Sequence, residues 1–487
     1  MGGYILWVFL LALWNTILFF SRDYGLNVIL FNIPLMIFMY YLLKKNNKIN
    51  NKKGLLLIIP VILLSLTYVL FNNFLFSVLN FLAIPILIVL MVMYTVNPTF
   101  RIRSIFKNII YLFFVPFKYI ARFYRVSTSK LKEKFHASDK VMKVIKMLLI
   151  VIPITLIIVA LLSSADMVFD NLFDNFFGSI FKFLKLEFFD RLLGRIFVFI
   201  ILFFIIGCTS MYIIYEYKKD EEVIVSKEKN RDLFTIKALL CVLNVIYIIF
   251  DFIQIKSLLL HSVSSNINYA EYARSGFFEL LVVSIINLTV ILFIRRYENK
   301  NNHKEFNFVK IMSVLMIFLT VIIIASSFLR MHMYESEFGY TVLRLLIFAF
   351  LITEAVLMIP TVMYIFNRNV NIVRSYLIIF ICSYLVLNFM NIDYLIARRN
   401  VNRYYSVKDI DLDYLENFGT DNIPVLIELY NKTDDAEIKL RLNDYLFIMK
   451  NTKSRDAFEF NLSNYRANKK LNEIHLEPNY GDYLDIK

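Results

Sequence analysis

FLRMHMYESEFGYTVLRLLIFAFLITEAVLMIPTVMYIFNRNVNIVRSYLIIFICSYLVLNFMNIDYLIARRNVNR, residues 328–403, decides the fold. It holds two apolar runs, about Thr341–Phe366 and Ile372–Met390, joined by the short turn NRNVN. Each reaches the ~20 residues that carry a helix across ~30 Å of hydrocarbon. A lone acid, Glu354, sits inside the first run, and arginines, acids, asparagines and tyrosines crowd the ends of both. A chain built this way crosses a membrane as helices, because hydrocarbon leaves a backbone no other way to satisfy its own polar groups.

The rest of the chain repeats that design. Of 487 residues 59% are hydrophobic, against ~45–50% in a soluble domain, and the mean hydropathy is +0.62. Further spans are expected at about Tyr4–Phe20, Leu26–Leu43, Gly54–Phe71, Phe74–Val96, Val144–Ala165, Leu192–Tyr215, Thr235–Ile255, Gly276–Ile294 and Phe308–Phe328. With the two quoted runs they make about 11. The fold class is therefore all-α, a polytopic transmembrane helix bundle with a small C-terminal helical extracytoplasmic tail. Four regions follow: a four-span part at 1–96, a basic cytoplasmic or interfacial segment at 97–143, a seven-span core at 144–390, and the tail at 391–487. The start, MGGYILWVFLLALW, lacks a basic leader and a small-residue cleavage site, so it reads as a retained span. Leu6 stands where myristoylation needs Ser or Thr.

Charge sets the expected orientation. The lysine run at 44–53, the basic segment 97–143 and the loops 216–234 and 295–307 fall on one side, which the positive-inside rule makes the cytoplasm. That places the protein in the plasma membrane with its N-terminus cytoplasmic and its C-terminus extracytoplasmic. The tail from Asn391 carries 14 basic and 17 acidic residues, net −3, leaving +17 on the membrane portion. The overall +14 thus reflects topology, and no motif of nucleic-acid recognition accompanies it. Cys208, Cys241 and Cys382 all lie in apolar runs, so no disulfide framework is expected. Residues 104–124 and the stretch after Ala165, where Phe169, Phe173 and Phe177 run beside Asp166, Asp170 and Asp174, read as surface-lying amphipathic helices. Three carboxylates stacked along one helix do not converge, so no metal site is expected there. The tail reads as stacked helices, with Thr420 or Asp421 capping one and Ile438, Leu442, Leu446 and Met449 sharing a face of the next.

On this topology the ionisable residues of the later spans gather near the outer leaflet. Arg330, Arg344, Asp393 and Arg398 lie at helix ends, Glu279 one turn inside its span beside Tyr272 and Arg274. Glu354 lies roughly 20 Å down, thirteen residues past Thr341 at 1.5 Å each. An ionisable group at that depth costs about 2.5–3.5 kcal/mol on insertion scales and is normally paired or faces a cavity. One reading is an outward-facing polar pocket for a small solute or ion, with Glu354 and Glu279 as acids and Arg344 and Arg330 as cations. The bland reading is that Glu279, Arg344, Arg330 and Asp393 pair among themselves and dock the tail. No nucleotide-binding loop, nucleophile elbow, zinc-protease motif or paired-cysteine motif occurs, and the five histidines show no ligand spacing. No catalytic residue, cofactor or metal is expected.

NYAEYARSGFFELL (268–281), LRMHMYESEFGYTVLR (329–344), NIDYLIARRNVNRY (391–404), DLDYLENFGTDNIPVL (411–426) and SSADMVFD (163–170) resemble the bacterial multi-pass family known as domain of unknown function 4173, a relative of family 4153. The resemblance covers roughly residues 97–430. Its motif positions here are Tyr272, Arg274, Gly276, Glu279, Arg330, Tyr334, Thr341, Arg344, Asp393, Arg398, Asn400 and Arg403. It implies an integral membrane protein and brings no activity, substrate or site role. Three functions are weighed: a ligand-binding or transporting bundle, an envelope signalling or scaffold protein meeting a partner through its tail, and a membrane-embedded transferase using an acid such as Glu279 or Asp393 as base. The lipid bilayer is the partner common to all three.

Overall fold

The computed structural model describes residues 2–96, 119, 123, 125–126, 186–215, 233–259, 277–296, 303–367, 369–451 and 456–476. Among them the chain is helical throughout, without a strand. The expected span Val144–Ala165 and the expected amphipathic stretches 166–185 and most of 104–124 lie outside the described residues. Among the described residues seven helices are long and apolar enough to cross a membrane, and Tyr4–Phe19, Val198–Ile214 and Val282–Leu292 are shorter apolar stretches. The protein is an integral membrane protein built as an all-α polytopic bundle.

The chain divides into two compact units. The first comprises Met1–Leu70, Ser77–Asp220 and Lys453–Leu462. It contains α1 (Gly2–Phe19), α2 (Leu26–Lys45), a 3₁₀ turn η1 (Lys52–Leu57), α3 (Ile58–Leu70), most of α4 (Phe74–Val96) and α5 (Leu186–Tyr215). Inside it Phe9 meets Phe199 edge to face at 5.2 Å, and Asn32 donates to Ser65 Oγ at 2.8 Å. A piece of the tail docks here, Arg22 pairing with Asp456 at 2.7 Å and Leu26 donating its backbone N–H to Phe460 O at 3.0 Å.

The second unit comprises Phe71–Phe76, Glu221–Thr452 and Ser463–Lys487. Its apolar helices are α6 (Leu233–Leu259), α7 (Phe277–Arg296), α8 (His303–Phe338), α9 (Val342–Phe366) and α10 (Ile372–Phe389). The tail follows as α11 (Ile392–Val407), α12 (Leu412–Glu416), a 3₁₀ turn η2 (Thr420–Asn422), α13 (Ile423–Lys432), α14 (Ala436–Lys450) and, after η3 (Ala457–Glu459) of the first unit, α15 (Leu462–Glu473). One core cluster joins α6, α7, α8 and α9 through Leu240, Ile291, Met316, Ile323, Leu351 and Met358. A second is the tail's own, around Ile396, Leu415, Leu426, Leu442, Leu446 and Leu471, with Leu345, Leu346 and Leu387 of the bundle packed against it.

Several boundaries differ from the sequence expectation, for physical reasons. Helix α8 does not stop at Phe328 but runs on to Phe338. Its 36 residues measure about 54 Å at 1.5 Å each, longer than the ~30 Å of hydrocarbon that a span must cross. Asn422 stands at the N-cap of α13 in place of Thr420 or Asp421, with Pro424 in the first turn. On α15 the buried residues are Ser463, Asn464, Ala467 and Leu471, while Tyr465 is exposed. That face reads polar because it meets polar groups: Asn464 Oδ1 accepts from Asn72 Nδ2 at 3.0 Å and from Thr420 Oγ1 at 2.6 Å.

Candidate functional site

The turn from α8 into α9 explains the arginines of the quoted stretch. Gly339 takes φ +81°, a conformation that suits glycine, and a Cβ there would lie 2.7 Å from Asn400 Oδ1. Asn400 pairs with Tyr340 as a second strand would: Tyr340 N–H donates to Asn400 Oδ1 and Asn400 Nδ2 donates to Tyr340 O, both at 2.8 Å. A helix end leaves four carbonyls without partners. Arg344 donates to the carbonyls of Phe338 and Gly339 and stacks over Tyr334 at 4.4 Å. Arg403 donates to those of Ser336 and Glu337, and Val342 N–H donates to Tyr414 Oη at 2.8 Å. Cations at a helix C-terminus also offset its dipole.

The tail is anchored by two buried acids. Asp421 accepts from the Asn72 backbone N–H at 2.6 Å and from Asn391 Nδ2 at 3.2 Å. Asp393 accepts from Asn73 Nδ2 at 2.6 Å and from the Gly419 backbone. Both are nearly inaccessible, at 5% and 3% exposure. Burial, reinforced by the charge of Asp421, pushes the Asp393 carboxyl up to about 7, and burial raises Asp421 as well. Asn391 at the junction takes φ +48°, which asparagine tolerates better than most, and so aims α11 away from α10. Arg398 pairs with Glu428 of α13, an ion pair within the tail.

Inside the bundle runs a polar track. On α6 the residues Asn244, Tyr247, Asp251 and Gln254 are all buried, and their spacing of three, four and three places them on one face. The opposite face, with Val245, Ile249, Phe252 and Ile253, is exposed, as a lipid-facing surface should be. The buried face meets α8. Asn244 Nδ2 donates to Met312 O at 3.0 Å, while Gln254 Oε1 accepts from Ser326 Oγ at 3.1 Å and Arg330 Nη2 at 2.6 Å. The two helices therefore run in the same direction. Between those levels Tyr247 donates to Asn287 Oδ1 at 2.6 Å, and Asn287 Nδ2 donates to Thr320 Oγ1 at 3.0 Å. Ser284, a turn away on α7, donates to Glu354 Oε2 at 2.8 Å. Glu354 is the thirteenth of 25 residues of α9, its midpoint, and is 2% exposed.

Two acids on this track keep uncommitted oxygens. Among the described residues Glu354 Oε1 and both carboxylate oxygens of Asp251 are buried without a hydrogen-bond donor. No three acidic, histidine or cysteine side chains among the described residues come close enough to hold a metal ion.

The expected site residues thus separate. Glu354 and Arg330 belong to the polar track, though to different levels of it. Arg344 caps the end of α8, Asp393 anchors the tail and Arg398 lies within the tail. Glu279 falls in α7, with nothing described of its side chain, and Tyr272 and Arg274 lie outside the described residues. Ser284, Asn287, Tyr247, Asn244, Gln254 and Thr320 were not among the expected site residues. For Asn244, Tyr247 and Gln254 the signal was present in α6 as a polar stripe at helical spacing inside an apolar run.

The pattern defining the family described as Domain of unknown function (DUF4153) matches residues 58–429, which include both acids of the track and the α8–α9 turn. No curated protein and no solved structure matches the chain. With a match over three quarters of its length, the chain belongs to the DUF4153 family.

Proposed function

We propose that the second unit binds a small cation, the proton, at Asp251 and Glu354, and moves it along the polar track between the levels of Asn244 and Arg330. The observation that carries this reading is the pair of buried acids with undonated oxygens inside helices of membrane-crossing length. Magnitudes favour function over scaffolding. An intramembrane hydrogen bond returns about 0.6 kcal/mol on average, while an intramembrane carboxylate costs about 2.5–3.5 kcal/mol. The single bond from Ser284 to Glu354 does not offset that cost, and no described donor offsets it for Asp251. A proton removes the charge without further ligands, whereas a hard metal cation calls for six or more converging oxygens. Ionisable groups in such positions mark proton relays and ion pathways.

The lysine-rich connectors support a bacterial plasma-membrane setting with several crossings, a cytoplasmic N-terminus and an extracytoplasmic tail, which puts the Arg330 end of the track outward. The polar motifs support the 4173 branch within the wider family. A second reading, an envelope partner for the tail, draws on Leu440 and Ile448, which are exposed on α14.

The test is proton flux in vesicles carrying the purified protein and a pH-sensitive dye, under an imposed gradient. Wild type should collapse the gradient, while Glu354→Gln and Asp251→Asn, both present at normal abundance, should not. Equal flux in the variants and wild type would remove the acids from the pathway.

A further inference from the structure

A cavity of 380 Å³ lies at one end of the second unit, between the last turns of α8, the first turns of α9 and the start of α11. Its walls carry Phe328, Leu345, Phe348, Met390, Leu395 and Ile396, and three groups that titrate or bear charge: His332, Glu335 and Arg399. None of the residues of the proton track lines it. Glu335 is 6% exposed, yet among the described residues no side chain or backbone group donates a hydrogen bond to its carboxylate. It feels only the charges of Arg344 and Arg399, of which Arg344 is committed to the carbonyls that end α8. Arg399 rests over Tyr340 at 5.8 Å, and its guanidinium makes no hydrogen bond to a described residue. An acid and a cation therefore face one amphipathic cavity with their hydrogen-bonding capacity unspent. Arg399 is exposed at the mouth of the cavity while Glu335 is the buried group, and a buried acid without a donor is costly unless a ligand completes it.

Depth identifies the ligand. Leu345 and Phe348 are the fourth and seventh residues of α9, about 5 and 9 Å in at 1.5 Å each, which puts the cavity at the border of the hydrocarbon and the polar layer. Its volume lies at the small end of the ~300–1,000 Å³ typical of ligand sites. That suits a headgroup and the first carbons beneath it, with chains continuing over Leu329 and Leu343, both exposed. An anionic headgroup without an amine would oppose Glu335, and a headgroup without phosphate would leave Arg399 unmet.

We propose that this cavity is a headgroup site for an amine-bearing glycerophospholipid, Glu335 receiving the ammonium and Arg399 the phosphate. Charge-assisted hydrogen bonds of this kind are about twice as strong as neutral ones. The site stands whether or not the track carries protons, since the two share no residue.

The test is native mass spectrometry of the full chain from nanodiscs of phosphatidylcholine doped equally with phosphatidylethanolamine and phosphatidylglycerol. Wild type should retain the ethanolamine lipid roughly tenfold over the glycerol lipid, in line with the ~1.4 kcal/mol that a tenfold ratio represents. Glu335→Gln should bring that ratio to about one, and Arg399→Gln should lower retention of both lipids. Leu345→Trp, which fills the cavity and leaves the charges in place, should lower ethanolamine-lipid retention in a protein that elutes as wild type does. Free phosphoethanolamine should not compete. An equal ratio in wild type, an unchanged ratio in Glu335→Gln, or unchanged retention in Leu345→Trp would each overturn the proposal. Competition by free phosphoethanolamine would overturn the choice of a lipid.

Discussion

Replacing Asp393 by Asn should abolish a pH dependence that the wild-type tail carries. The sign follows from the burial of the carboxyl. Its ordinary value of 3.8 rises to about 7 in the folded protein, so the folded state favours the protonated form. A group with a raised folded pKa contributes stability fully below its unfolded value and loses it as pH climbs through the folded one. Each unit is worth 1.36 kcal/mol, so the roughly two units titrated between pH 5 and pH 8 come to about 3 kcal/mol. Asp421, raised in the same direction by burial, adds to the effect. The assay is hydrogen exchange of the amides of α11 and α13, corrected for the intrinsic pH dependence of exchange. Protection in wild type should fall on the order of a hundredfold from pH 5 to pH 8, since about 1.4 kcal/mol is a factor of ten. Asp393→Asn keeps an oxygen for Asn73 and has nothing to titrate, so its protection should decline far less. An identical decline in both proteins would refute the reasoning and assign the pH dependence elsewhere.

Three further outcomes are expected. Asn400→Ala should cost about 1–3 kcal/mol by leaving the Tyr340 backbone pair without partners, read as lost exchange protection at 339–345. Gly339→Ala should be destabilising by more than 1 kcal/mol, because alanine dislikes φ +81° and its Cβ would press on Asn400; unchanged thermal stability would contradict that turn geometry. Arg441, which pairs with Asp413 and Glu416 in a partly exposed site, should cost under about 1 kcal/mol when changed to Ala, and less still at high salt.

Helix positions were legible in the sequence because hydrocarbon leaves so few alternatives. The expected span Phe74–Val96 agrees with α4 to the residue, and Ile372–Met390 agrees with α10 to within one. The end of α8 was not legible. Hydropathy marks where the apolar layer stops, and a helix whose carbonyls are capped by Arg344 and Arg403 has no reason to stop there. Arg344 looked like a ligand group from sequence, since a helix-capping cation and a binding cation occupy the same place in a linear pattern. Only the folded turn shows which carbonyls that arginine meets. Glu354 was legible as a lone charge at mid-depth, but its partner Ser284 was not, because serine is unremarkable in an apolar helix. The stripe Asn244, Tyr247, Asp251, Gln254 was readable in principle by spacing, yet a search for charges passes over its three neutral members. The docking of the tail through Asn72 and Asn73 rests on residues more than three hundred positions from Asp393 and Asp421, a distance no local pattern spans.

The most direct test of the proton track is charge movement recorded on a solid-supported membrane after a rapid pH step. Wild-type protein should give a transient current whose sign reverses with the direction of the step, and Glu354→Gln should give none. A wild-type current equal to that of Glu354→Gln would contradict the assignment of Glu354 as a proton-binding group within the bundle.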